Sequence, residues 1–267
     1  MVSVDVKSEI LCASDLLKIS NEHIQSNSDN ETMNKYINHI LKLQKKIEKY
    51  SFYSSIDLRN ENIHDEDISH IIQHAIIKKQ CSILRLNNNF ITCKGMTQLV
   101  TSLDHHNNTL TELNLQSNRL FDKSLYCLVE LLSTNHSKLR KLYLGSNKIS
   151  NEGVLLLSNM LKTNKTLTVL WLDANRIGNE GVHYLTNVLI DQNQTLEELS
   201  LKNNQLITSL SVPYFITLGQ SNSSLKTIDI TQCHLTKHDY QQLTNLFGLF
   251  SQFVLQYDLS ESDCILS

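Results

Sequence analysis

His70 and His74 stand four residues apart with Asp67 one turn earlier, which is as near as this chain comes to a metal site. Imidazoles and a carboxylate at helical spacing could converge on one cation, yet three ligands on a single exposed helix make an incomplete coordination sphere. A solvated helix face accounts for the same residues, so neither a metal nor any other cofactor is expected. No glycine-rich phosphate loop, G-x-S-x-G elbow or H-E-x-x-H is present, and an enzymatic role is not expected. The six cysteines, Cys12, Cys81, Cys93, Cys127, Cys233 and Cys264, show no paired framework, and reduced thiols are the simplest reading. The residues with most to offer are aromatic: Trp171, the single tryptophan, and Tyr143. Rigid rings with a polar handle are over-represented where protein partners bind tightly. What they can do depends on the elements that hold them.

Those elements repeat. Leu84, Leu113, Leu142, Leu170, Leu199 and Ile228 fall 28 or 29 residues apart, and each opens the pattern L-x-L-x-x-N-x-(I/L) with few departures. Ile56-Leu58-Ile63 begins the series, and a further step of 29 from Ile228 lands on Tyr257, with Leu259 two residues on. Alternating apolar residues are the inward face of a short strand. The Asn, represented by Asn89, Asn118, Asn147, Asn175 and Asn204, can donate and accept where the chain turns off the strand and its backbone loses water. Cys233 replaces it in the seventh unit and Glu61 in the first. The rest of each unit reads as a helix, because Gly95-Leu99-Leu103, Gly153-Leu157-Leu161 and Gly181-Leu185-Leu189 set apolar residues on one face after a Gly suited to a tight entry. One strand and one helix per unit predict a right-handed α/β solenoid, with a parallel sheet on the concave face and helices on the convex face.

In these motifs the chain resembles leucine-rich-repeat proteins of the ribonuclease-inhibitor type, over about residues 53 to 259. Asn164-Lys165-Thr166-Leu167 and Asn193-Gln194-Thr195-Leu196 are also similar to the repeat arrays of NOD-like receptors. The resemblance implies a protein-binding scaffold or adaptor. Ran GTPase-activating proteins share the repeat type, which makes regulation of a small GTPase the alternative, with Arg59 and Arg85 as the arginines at a suitable edge.

Subtracting the packing positions locates the surface free for recognition. The residue between the two core apolars runs Asp57, Arg85, Asn114, Tyr143, Trp171, Ser200, Asp229 and Asp258 down the stack. Two places on come Arg59, Asn87, Gln116, Gly145, Asp173, Lys202, Thr231 and Ser260. Tyr143 and Trp171 match on neighbouring strands, so their rings should lie roughly 5 Å apart and could stack. Lys141, Asp173, Glu198 and Lys202 ring the pair with mixed charge, and Arg85 lies further along the row. The expectation is a protein partner on the concave face, with Tyr143 and Trp171 as anchors. Neighbouring aromatics can also merely stabilise a sheet.

Residues 1–52 fall outside the repeat and read as an N-terminal helical cap ahead of a solenoid over 53–267. Two helices are expected, Ser8 to Ile24 and Thr32 to Tyr50, separated by a polar loop at Ser26 to Asn30. In the second, Ile37, Ile40, Leu41 and Ile47 share a face and Lys42, Lys45, Lys46 and Lys49 look outward. It should cover the edge of the first strand, or else serve as a docking helix. A net charge of -3 argues against a nucleic-acid partner, no apolar run approaches a membrane span, and a cytoplasmic protein is expected. N-x-(S/T) sequons at Asn107, Asn135, Asn164, Asn193 and Asn222 recur at one repeat position and are assigned to turn chemistry, the sixth being at Asn30. At the far end either a helix from Lys237 to Phe253 folds over the last strand or the end meets another subunit, so the oligomeric state stays open.

Overall fold

The computed structural model describes residues 27–105, 109–134, 137–247 and 254–256. The expected helix Ser8 to Ile24 and the residues from Tyr257 onward lie outside these.

Eight parallel strands form one sheet in strict chain order, so every unit neighbours the next in space. They are β1 Ser55–Asp57, β2 Ile83–Arg85, β3 Glu112–Asn114, β4 Lys141–Tyr143, β5 Val169–Trp171, β6 Glu198–Ser200, β7 Thr227–Asp229 and β8 Val254–Gln256. Helix α1 spans Asn27–Glu48 before the sheet. Between strands come α2 Ile68–Ile71, prolonged by a π-helical turn Ile72–Lys78, then α3 Cys93–His105, α4 Leu125–Ser133, α5 Asn151–Leu161, α6 Asn179–Asp191, α7 Val212–Ser221 and α8 Lys237–Phe247. The molecule is thus an α/β solenoid with the sheet on its concave side and the helices on its convex side. Its middle layer is one continuous core in which Leu84, Leu86, Leu99, Leu142, Leu144, Leu157, Leu170, Leu172 and Leu185 are fully buried. Each contributes roughly 1.5–3 kcal/mol by leaving water.

The repeat register holds with two shifts. Ile228 pairs with Leu255, two residues before the Tyr257 that a step of 29 selects, and Asp229 pairs with Gln256 rather than Asp258. In the sixth unit Leu206, expected in the core, is 58% exposed and Ile207 is fully buried in its stead. Leu206 bridges outward to Gly178. A one-residue lengthening of the turn after Asn204 causes the change, with the Ile207 amide donating to the Asn204 carbonyl at 3.0 Å.

The asparagines form the expected ladder, and each one spans two units. Asn175 accepts from the amides of Asn147 and Ile149 at 3.2 and 3.1 Å and donates to the carbonyls of Leu144 and Leu172 at 3.1 and 3.0 Å. Asn89 and Asn204 repeat this pattern one end to the other. Cys233 keeps a weaker rung, its thiol donating to the Leu201 carbonyl at 3.4 Å and accepting from the Asn204 amide, and burial pushes that thiol up to about 12. Asn164, Asn193 and Asn222 make a second ladder behind the helices. Their amide groups donate to Leu132, Leu161 and Leu189 carbonyls while their oxygens cap the turns at Leu167, Leu196 and Leu225. These three sequon asparagines are therefore buried turn residues.

The helix-entry glycines do not serve as expected. None has positive φ. A Cβ on Gly153 would overlap the Asp122 carboxylate and crowd Ile149 and Leu125, and one on Gly95 would overlap Asp65. Those acids are busy with a third set of inter-unit bonds: Asp122 accepts from the Ser150 amide and hydroxyl at 2.8 and 2.7 Å, and Asp65 from Thr92 at 2.8 and 2.5 Å. Close approach, and no special backbone conformation, demands glycine here.

Helix α1 begins at Asn27, so the segment Asn27 to Asn30 is helix where a loop was expected. Its buried face is Ile37, Ile40, Leu43 and Ile47, with Leu43 taking the place given to Leu41. Two of its lysines turn inward onto the solenoid: Lys42 and Lys46 pair with Glu61 at 2.9 and 2.6 Å. Burial pushes the Glu61 carboxyl upward, but the two ammonium groups prevail and hold it below the usual carboxylate range. The odd Glu at the first ladder position is thereby explained by the cap that faces it.

The histidines are likewise claimed by this contact. Asp67 and His70 are 2% and 5% exposed, so the solvated helix face expected for them is not found. His39 of α1 lies 3.4 Å from Asp67, and the His70 and His74 rings stack at 4.3 Å. Burial, with a smaller push from His74, lowers His70 to about 4, and burial lowers His74 as well; burial raises Asp67. A histidine with a depressed folded pKa stabilises fully above its unfolded value near 6.5 and loses that contribution as pH falls towards about 4, whereas Asp67 acts in the opposite sense. Between pH about 7.5 and about 4.5 the wild-type chain should lose roughly 2–3 kcal/mol more urea stability than His70→Phe. Parallel pH profiles for the two chains would show that His70 is not the titrating group.

Candidate functional site

Strands β4, β5 and β6 bring the concave residues into three rows. Lys141 pairs with Val169 and Val169 with Glu198; Tyr143 pairs with Trp171 and Trp171 with Ser200. Past the strand ends the Ser146 amide donates to the Asp173 carbonyl at 2.7 Å and the Ala174 amide to Lys202 at 2.7 Å, which aligns Gly145, Asp173 and Lys202 as the third row. The six residues Lys141, Tyr143, Trp171, Asp173, Glu198 and Lys202 thus occupy one patch. Val169, 4% exposed, is an apolar member between Lys141 and Glu198 that the sequence reading passed over. Its type among polar neighbours was the available signal.

The Tyr143 and Trp171 ring centroids are 4.9 Å apart, the distance expected from strand spacing, but the planes stand at 87°. Edge-to-face contact replaces the expected stacking because it places the positive edge of one ring on the negative face of the other. Trp171 remains 37% exposed while Leu170 and Leu172 on either side are fully buried, so strand alternation turns it out of the core. Gly145 opens no space beside the pair: it is buried, and a Cβ there would come within 3.2 Å of the Asp173 carbonyl and 3.4 Å of the Gln116 side chain.

Both acids and bases surround the pair. Burial, then Glu112 and Glu198, push the Tyr143 phenol up to about 12 against an opposing pull from Arg85, so the hydroxyl stays a neutral donor. Burial raises Asp173 too, with Asp229 adding to it, and the Ser200 hydroxyl donates to its carboxylate. Arg85 lies two strands from Tyr143, on β2, and is already engaged by Ser55 at 2.5 Å and Glu112 at 3.2 Å. Arg59 is paired with Asp57 at 2.7 Å. Among the described residues no cluster of three or more His, Cys, Asp or Glu could hold a metal, and no helix is long and apolar enough to cross a membrane. Cys81, Cys93, Cys127 and Cys233 are free thiols, of which Cys81 and Cys233 are buried.

A family described as "Leucine Rich repeat" matches residues 106–129, 135–158, 163–185 and 192–211. These four stretches match that repeat, and they contain the Tyr143/Trp171 patch. Among solved structures the chain is similar to "Leiomodin-1 Actin-Binding Site 2 (ABS2)", at 25% identity and a TM-score of 0.49 over 58% of this chain and 87% of that one. A comparison with curated proteins found no match.

Proposed function

We propose that the protein is a non-enzymatic protein-binding scaffold of the cytoplasm, and that its partner is held on the concave face with Tyr143 and Trp171 as anchors. Residues 1–52 serve it as a cap and 53–267 as the repeat array of ribonuclease-inhibitor type. Lys141, Asp173, Glu198 and Lys202 supply the polar rim, and Arg85 its margin. The observation that carries this reading is Trp171 itself: a large ring, 37% exposed, at the middle of a sheet whose alternate residues are fully buried. Such a ring within a mixed-charge border has the anatomy of an interface centre. Regulation of a small GTPase would require a guanidinium free to meet phosphate. Arg59 and Arg85, the arginines expected to serve it, are both tied to carboxylates, so neither supports that second reading.

The test is affinity capture from the source cell with the wild-type chain and a Tyr143→Ala/Trp171→Ala variant of matched thermal stability. A protein recovered by the first and lost by the second supports the reading. Equal recovery by both refutes the address.

A further inference from the structure

Immediately after the ladder asparagines, where the chain leaves the sheet, a second exposed surface runs along the stack. Phe90, Arg119, Lys148 and Arg176 follow Asn89, Asn118, Asn147 and Asn175 in successive units. Their backbones are locked side by side: the amides of Arg119, Lys148 and Arg176 donate to the carbonyls of Ile91, Leu120 and Ile149 at 2.9, 3.0 and 2.8 Å. Two aromatics of this edge carry cations over their rings. The Arg119 guanidinium lies 4.5 Å from the Phe90 ring centre, whose other contact is the His64 ring at 4.9 Å, and the Lys148 ammonium lies 5.2 Å from Phe121.

Among the described residues none of Arg119, Lys148 and Arg176 makes an ion pair, and all three are exposed. The nearby acids are directed elsewhere: Asp65 and Asp122 accept from Thr92 and Ser150, and Glu180 accepts from Tyr184. In a chain of net charge -3 this is a band of three cations in adjacent units, none with an ion-pair partner among the described residues. Resting two of its cations on ring faces restricts their side chains before any partner arrives, which lowers the ordering cost of binding.

We propose that this band is a second interaction surface, separate from the concave patch, and that it takes an acidic segment of a protein in extended conformation. Neighbouring strands lie about 4.8 Å apart, so the three cations span about 10 Å, and same-side residues of an extended chain recur about every 6.8 Å. Carboxylates at alternate positions therefore fall within reach of the band. A nucleic acid suits it less. Its bases need open ring faces to stack upon, whereas Phe90 and Phe121 already carry Arg119 and Lys148.

The probe is a fluorescein-labelled synthetic peptide of alternating glutamate and serine, titrated with the full chain by fluorescence anisotropy at about 50 mM and about 300 mM salt. Saturable binding that weakens with salt is expected, with at least a tenfold loss of affinity, on the order of 1.4 kcal/mol, in Arg119→Glu/Lys148→Glu/Arg176→Glu. Trp171→Ala should bind within about twofold of wild type, which separates this surface from the concave one. Should charge reversal lower the unfolding temperature, the Arg119→Gln/Lys148→Gln/Arg176→Gln chain replaces it, with a loss in the same direction. No binding to wild type, equal binding by the variants, or equal binding of a lysine and serine peptide would overturn the proposal. So would an oligothymidylate that binds more tightly than the acidic peptide.

Discussion

Replacing Asn175 by leucine is expected to lower the free energy of unfolding by about 4 kcal/mol, although the two side chains are close in size. The side chain is 9% exposed and sits where units four and five meet. Its removal orphans the amides of Asn147 and Ile149 and weakens the carbonyls of Leu144 and Leu172, all of them in buried hydrogen bonds. A buried polar group left unsatisfied costs about 1–3 kcal/mol, and the leucine returns only part of that through apolar burial. Because repeat arrays are stabilised by nearest-neighbour interfaces, the damage should concentrate at one junction. Urea denaturation should then show a lower midpoint together with a broader transition as the halves begin to unfold separately. The matched control is Cys233→Ala, which removes only the weak thiol contacts to Leu201 and Asn204 and should cost far less. An Asn175→Leu chain within about 1 kcal/mol of wild type would show that the ladder is dispensable.

The ladder was legible in the sequence because asparagine is a costly residue to bury and recurs in phase with the leucines. The strand alternation that exposes Trp171 was legible for a similar reason: a period of two leaves no choice about which neighbour of Leu170 and Leu172 faces out. What escaped was non-local or degenerate. Leu206 and Ile207 are adjacent and both apolar, so pattern alone could not say that the turn lengthens by one residue there. The last strand pairs two places earlier than a step of 29 selects, because Leu255, Tyr257 and Leu259 alternate and pattern alone allows either register. His70 looked solvent-facing because the helix that buries it, α1, lies outside the repeat and its contact cannot be read from local periodicity. The backbone just before each ladder residue gave no sign either: Asn60, Asn88, Ser117, Ser146, Ala174, Asn203 and Gln232 all take positive φ, yet not one is glycine. Asparagine tolerates that region and Ala174 does not favour it, so the inter-unit hydrogen bonds on either side must impose it.

The second large effect concerns Trp171, and its uniqueness makes the measurement clean. As the chain has one tryptophan, all indole emission reports on this single side chain. In the free protein a ring 37% exposed, touching Tyr143 edge-on, should emit at long wavelength and be quenched readily by acrylamide. Docking of the concave-face partner should move the emission to shorter wavelength and shield it, since interface centres exclude water. Trp171→Ala should then weaken that partner by roughly 2 kcal/mol or more, about thirtyfold in Kd, which is the size of a hot-spot truncation. Its cost in stability should be no more than about 1 kcal/mol, the worth of one aromatic contact across neighbouring strands. Trp171→Phe separates the two contributions, because it keeps the ring contact with Tyr143 but gives up the indole N–H and part of the contact area. Affinity intermediate between wild type and alanine, at near wild-type stability, is the expected pattern. If instead Trp171→Ala loses stability heavily and binding not at all, the tyrosine and tryptophan are a sheet-bracing pair, and the face around them is not where the partner is held.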